Sequence, residues 1–151
     1  MALSIKPYIE NKERIHLIGI GGVSMNSLGE LLLSRGVPIS GSDRLRTDVT
    51  ARLEALGAKI TYEHKPENVE GASLIVRTAA VHDDNPEIVR AHELGIPVME
   101  RAEAWGHLMR DYDNVVCLAG THGKTTSTSM MTLMTMEAQM DPVVICISNA
   151  P

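Results

Sequence analysis

Residues 15–25 read Ile15-His16-Leu17-Ile18-Gly19-Ile20-Gly21-Gly22-Val23-Ser24-Met25, and this stretch decides the fold. A short apolar run that ends in glycines and passes into a helical pattern is a buried strand, a tight turn and a helix N-terminus in succession. Leu28, Leu31, Leu32 and Leu33 continue the helix at helical spacing, and Arg35-Gly36 supplies its stop. The turn calls for glycine because the backbone needs positive φ there and must come close to a ligand. The following helix points free N–H groups and the positive end of its dipole at the loop, so a diphosphate is the natural occupant.

The same alternation repeats outward from this point. Strands are expected at residues 15–20, 37–40, 58–61, 73–77 and 97–99. Between them lie helices marked by Val49, Leu53 and Leu56 with Gly57 at the exit, and by Ile88, Val89 and Leu94 after Asn85-Pro86 with Gly95 at the exit. Residues 102–109 are helical again. Strands alternating with helices of this length predict an α/β fold, a Rossmann-like parallel sheet whose right-handed crossovers put helices on both faces. The chain turns polar at Arg110-Asp111-Tyr112-Asp113-Asn114 and restarts with Val115-Val116-Cys117-Leu118-Ala119. The expected organisation is an N-terminal arm at 1–13, a Rossmann-like domain at 14–110 and the start of a second domain at 111–151. That last part reads as a C-terminal βαβ fragment, with strands at 115–119 and 143–147 around a glycine loop and a helix.

Composition limits the function. The chain has 151 residues, with 14 Lys+Arg against 19 Asp+Glu for a net charge of −5, and 44% apolar residues. That is a soluble globular composition for one domain, or for one domain and part of another. An acidic chain without basic runs lacks the counterion-releasing surface of a nucleic-acid binder, and with one Trp, three Tyr and no Phe it lacks stacking platforms. No apolar stretch approaches the ~20 residues of a membrane span, and the N-terminus has no signal-peptide core. A cytoplasmic protein with no membrane partner is therefore expected, with Cys117 and Cys146 buried and reduced in apolar runs. Small phosphorylated ligands stay open, because a few backbone N–H groups hold them without net positive charge.

The first loop has the spacing G-x-G-G-x-S, with Ser24 where a dinucleotide fingerprint has its third glycine. Asp43, at the end of Ser40-Gly41-Ser42-Asp43, lies 22 residues beyond Gly21, near the place of a ribose-binding acid. On these residues a nicotinamide dinucleotide and a UDP-sugar fit equally well. Thr78-Ala79-Ala80 follows the fourth strand at the edge where ligands settle. About a hundred residues beyond the first loop, Gly120-Thr121-His122-Gly123-Lys124-Thr125-Thr126 follows a strand pattern and opens a helix. It is a shortened phosphate loop: backbone amides would wrap phosphates, Lys124 would neutralise them and the Thr125 hydroxyl would reach Mg²⁺. Met130, Met131, Met134, Met136 and Met140 on the helix behind it read as core packing. The six histidines show no metal-ligand spacing.

Two unlike phosphate loops in one chain resemble the Mur ligase family. The resemblance is carried by residues 15–25, 40–43, 53–60, His64 with Asn68, 77–87, 96–103 and 119–126, and it runs from about Lys12 to about Met140. The GIGG loop together with His122 favours the member that adds L-alanine. The resemblance implies a three-domain cytoplasmic enzyme of peptidoglycan precursor synthesis. ATP with Mg²⁺ phosphorylates the carboxylate of UDP-N-acetylmuramate, and the amine of L-alanine attacks the acyl phosphate. It further implies that Gly19, Gly21, Gly22, Val23, Ser24 and Met25 line the diphosphate and that Ser42, Asp43, His64, Thr78 and Ala79 serve the uridine side. Arg101 would support the substrate, and Gly120, Thr121, His122, Gly123, Lys124, Thr125 and Thr126 would hold ATP. Lys124 and Thr125 would be the catalytic groups, with Thr125 on the metal, in a transfer that depends on positioning and charge.

Three domains need about 450 residues. The expectation is therefore a fragment that binds UDP-N-acetylmuramate without turnover, and one whose uncovered apolar surface lets it self-associate. Residues 143–151 depart from the family pattern, which is glycine-rich there. A regulatory domain that senses NAD is the alternative. It accounts for the first loop and leaves the second without a purpose.

Overall fold

In the computed structural model, which describes residues 3–145, β1 (Ile15–Ile18) lies at the centre of a five-stranded parallel sheet. On one side it pairs with β2 (Ile39–Ser42), which pairs in turn with β3 (Lys59–Thr61). On the other side it pairs with β4 (Leu74–Arg77), followed by β5 (Val98–Glu100). The order β3-β2-β1-β4-β5 is that of a doubly wound sheet, with its switch point between β1 and β4. Every residue of β1 and β2 is buried, as parallel strands covered on both faces must be, whereas the edge strands β3 and β5 are only partly covered. The expected fold class is the one found.

Alternation along β1 assigns the two faces. Leu17 packs toward α2 (Val23–Ser34) at Gly29, where a Cβ would come within 3.3 Å of the Leu17 side chain and 3.6 Å of Leu53 on α3 (Asp48–Ala55). Ile18 faces the other way, into a cluster with Val69, Ala72, Ile75, Ile88 and Ala91. That cluster is closed by a 3-10 turn (Pro66–Val69) and by α4 (Pro86–Glu93). α5 (Arg101–Met109) lies on the α2 side, with the Trp105 indole N–H donating to the Ser24 carbonyl (3.3 Å) and hydroxyl (3.2 Å). This explains a serine at the third-glycine position: its buried hydroxyl gives the Trp105 N–H a partner.

Most element bounds shift by one or two residues, and three differences stand out. β2 begins at Ile39 rather than 37, because Pro38 has no N–H to enter the ladder; its carbonyl still accepts from Ile15 at 3.1 Å. The N-terminal arm contains a helical turn, α1 (Lys6–Glu10), anchored by buried Ile5 and Ile9. The third correction concerns the expected C-terminal βαβ fragment. The chain divides into two compact units between Tyr112 and Asp113, and among the described residues of the second unit the only regular element is α6 (Lys124–Glu137). Residues 115–119 form no strand, nor do 143–145; residues 146–147 and Cys146 lie outside the described residues. A strand needs a ladder partner, whereas a helix satisfies its own backbone. The methionine core is not found either: Met130, Met131, Met134, Met136 and Met140 are all exposed, as is Cys117.

Gly41 is a test of how tightly β1 and β2 meet. A Cβ there would lie 2.6 Å from the Ile20 side chain and 2.8 Å from the Leu17 carbonyl, and the carbonyl belongs to the ladder. Gly41→Ala is expected to lose about 1–3 kcal/mol of stability in urea unfolding. An unchanged midpoint would show that the ladder gives way freely.

Candidate functional site

The crevice at the switch point is built from the carboxyl ends of β1 and β4. Gly19 follows β1 with φ +78°, and a Cβ there would be 4.0 Å from the Thr78 methyl, so the two loops lie side by side. The loop amides are largely engaged within the protein. Gly19 and Ile20 donate to the Ser42 carbonyl (2.8 and 3.1 Å), Gly21 to Asp43 Oδ2 (2.8 Å) and Gly22 to the Gly19 carbonyl (3.1 Å). Beyond them, Gly22 caps α2 with extended backbone. The amides of Val23, Ser24 and Met25 have no carbonyl acceptor among the described residues. These three helix amides and the dipole end behind them are what the loop leaves unpaired for an anion, while the glycines shape the turn.

The candidates named for the first loop separate accordingly. Val23 is exposed at the mouth, while Ser24 and Met25 are buried, main chain included. Asp43 accepts from the amides of Gly21, Arg44 (2.7 Å) and Leu45 (3.2 Å), so its carboxylate organises the loop. Thr78 is half-buried and Ala79 exposed on the β4 side, and Arg101 is half-buried at the first turn of α5. A cavity of about 280 Å³ beside β5 is lined by Arg77, Asp83, Glu100 and Glu103 among others. Its carboxylates have the wrong sign for a diphosphate.

Beneath the crevice lies a polar cluster centred on a residue that the sequence reading did not single out. Glu87 is fully buried at the second position of α4, where Asn85 caps the helix by accepting from its amide (2.9 Å). Glu87 Oε1 accepts from Asn68 (2.7 Å) and lies 3.2 Å from His16 Nε2. Oε2 accepts from Ser42 (2.7 Å) and lies 2.8 Å from His64 Nδ1. His16 Nδ1 in turn meets Ser40 Oγ at 3.0 Å. Burial pushes the carboxyl pKa up, yet the bonds from His16, Asn68, His64 and Ser42 outweigh it and hold the pKa at about 2 against an ordinary 4.5. The signal in the sequence was His16, Ser40 and Ser42: polar side chains in strands buried on both faces require a buried partner.

In the second unit, Gly123 at φ +76° turns the chain into α6, and Lys124 Nζ donates to the Gly120 carbonyl at 2.7 Å. Lys124 thus closes the loop on itself. Gly120, Thr121, His122, Gly123, Thr125 and Thr126 are exposed. Along α6, Thr128, Ser129, Thr132 and Thr135 hydroxyls donate to carbonyls four residues earlier. Among the described residues no group of three or more His, Cys, Asp or Glu gathers to hold a metal ion.

A doubly wound sheet with unpaired helix amides at its switch point is the setting in which residues 14–113 match the Mur ligase family, catalytic domain. The chain belongs to the Mur ligase family. It is 44% identical over 140 residues to a UDP-N-acetylmuramate–L-alanine ligase of Clostridium novyi (strain NT), covering 93% of this chain and 31% of that protein. It is 47% identical over 133 residues to the protein of the same name from Alkaliphilus metalliredigens (strain QYMF), covering 88% and 29%. Among solved structures, the UDP-N-acetylmuramate-alanine ligase of Thermotoga maritima superposes with a TM-score of 0.78 at 35% identity, over 84% of this chain and 30% of that one. A murein peptide ligase from Psychrobacter arcticus superposes at 0.79 with 26% identity, over 89% and 30%. This Mur ligase chain thus spans about a third of the length of the relatives it matches. The second glycine loop lies outside the family match.

The Glu87 cluster makes a pH prediction with a definite sign. A carboxyl whose folded pKa is lowered stabilises the fold fully above the unfolded value and loses that contribution as pH falls from about 4.5 toward about 2. The contribution is on the order of 3 kcal/mol. Urea unfolding between neutral and acid pH, followed by Trp105 fluorescence, should show this loss in the wild type, and Glu87→Gln should lack it. Parallel acid profiles would exclude Glu87 as its source.

Proposed function

We propose that this chain is the UDP-N-acetylmuramate-holding part of an ATP-dependent ligase that joins L-alanine to the muramate carboxylate. The observation that carries the reading is the set of helix amides without a carbonyl acceptor at Val23, Ser24 and Met25, at the switch point of a chain 44–47% identical to ligases named for that reaction. A diphosphate bridges those amides, and the uridine lies toward Thr78, Ala79, Ser42 and His64. The NAD alternative is weaker because Asp43, its ribose acceptor, is already occupied by three backbone amides.

In the parent reaction the muramate carboxylate attacks the γ-phosphorus of ATP, ADP leaves, and the amine of L-alanine then displaces phosphate from the acyl phosphate. Lys124 would leave the Gly120 carbonyl to meet the transferred phosphoryl group, and Thr125 would be the first protein ligand of Mg²⁺. Among the described residues no group of three or more His, Cys, Asp or Glu gathers to hold a metal ion, and the 151-residue chain by itself is assigned binding without turnover. The work of such a chain belongs in the cytoplasm, where UDP-linked precursors and ATP are available. The exposed methionines of α6 also support self-association of the isolated chain. Light scattering across a concentration series should show mass rising with concentration; a constant monomer mass rejects that part.

Calorimetric titration with UDP-N-acetylmuramate, NAD and Mg-ATP in parallel tests the main reading. The UDP-sugar should bind at micromolar strength and NAD should not. Lys124→Ala should leave UDP-sugar affinity unchanged, because the two loops belong to separate units. Binding of NAD in place of the UDP-sugar would overturn the assignment.

A further inference from the structure

The Glu87 cluster has one member that reaches the surface. His64 follows β3 at the carboxyl edge of the sheet, and its side chain keeps 19% of its exposure while Glu87 keeps none. An ionised carboxylate only accepts hydrogen bonds, so the hydrogen between His64 Nδ1 and Glu87 Oε2, 2.8 Å apart, belongs to the imidazole. A neutral ring with Nδ1 protonated has a bare Nε2, which finds no partner among the described residues. Glu87 itself has no capacity left for a ligand: Asn68 and His16 fill Oε1, while Ser42 and His64 fill Oε2. Beyond holding these elements together, its route to a ligand passes through His64.

Building on the UDP-sugar reading, we propose that Glu87 is a positioning residue that locks His64 as the Nδ1–H tautomer, so that Nε2 faces the ligand as a hydrogen-bond acceptor. The ligand group met there is then a donor, an imide N–H or a hydroxyl of the nucleoside, and not a phosphate oxygen. A bare ring nitrogen repels phosphate, which keeps the diphosphate on the helix amides of α2 and sets the direction in which the nucleotide lies.

Nitrogen-15 NMR of the histidine rings in the 151-residue chain at mildly alkaline pH, with His64 assigned by difference against His64→Gln, reads the tautomer directly. The expected spectrum shows Nδ1 protonated and Nε2 bare. A His64 ring protonated at Nε2 overturns the proposal, and this arm requires no Glu87 variant to fold. In Glu87→Gln the side-chain amide offers a donor to Nδ1, so the Nε2–H form should grow, and affinity for UDP-N-acetylmuramate should fall about tenfold, the scale of one hydrogen bond. In a His64→Ala background the same change should cost nothing further. An equal additional loss there would show that Glu87 acts on the fold and not through His64. Absence of UDP-sugar binding by the wild-type chain would overturn the functional reading, while the tautomer spectrum still decides the Glu87–His64 link.

Discussion

A single carboxylate without solvent contact ties together most of what surrounds the crevice. Glu87 comes from α4, His16 from β1, Ser42 from β2, His64 from the segment after β3 and Asn68 from the 3-10 turn. A buried charge is tolerable only when its lone pairs are filled, and here each oxygen has two partners. The elements that supply those partners are thereby held in one arrangement, and the loops at the carboxyl edge of the sheet inherit it. The Asn85 cap and Pro86 at the first helical position aim the first turn of α4 so that Glu87 enters the cluster.

The same economy of polar groups explains the first glycine loop. Four successive amides, Gly19 to Gly22, are satisfied by the protein itself, three of them by backbone carbonyls and one by Asp43. A loop so engaged is a rigid frame, and what an anion would be left with is the amides that helix geometry cannot satisfy, those of the first turn of α2. The cost of ordering an anion site is thus met when the protein folds, before any ligand arrives.

The second unit shows the limits of pattern reading. Residues 115–119 have the apolar, β-branched character of a buried strand, and the methionines in and just after α6 are a residue type that packs cores. Neither pattern finds a partner among the described residues, and they answer this differently. α6 forms because its hydrogen bonds are internal, and four hydroxyls also find acceptors among its own carbonyls. The strand pattern stays without secondary structure because its hydrogen bonds would have to be made to something else. Periodicity reports what a segment would do beside the right neighbour and says nothing about whether the neighbour is present.

The sequence by itself determined the alternation of strands and helices, the parallel sheet, both glycine loops and the Mur ligase resemblance, because each is written locally in spacing, glycine placement and capping residues. Only the tertiary structure decided which atoms are left for a ligand. Asp43 at the expected offset from Gly21 reads as a ribose acceptor, yet folding delivers it to the Gly21 amide. Ser24 reads as a ligand contact, yet its hydroxyl goes to Trp105, 81 residues away. Glu87 carries no mark in the linear pattern, and the fold makes it the centre of a cluster with His16, 71 residues distant. Hydrogen-bond partners across the fold are set by strand order and by which faces meet, and a linear pattern of residue types does not contain that information.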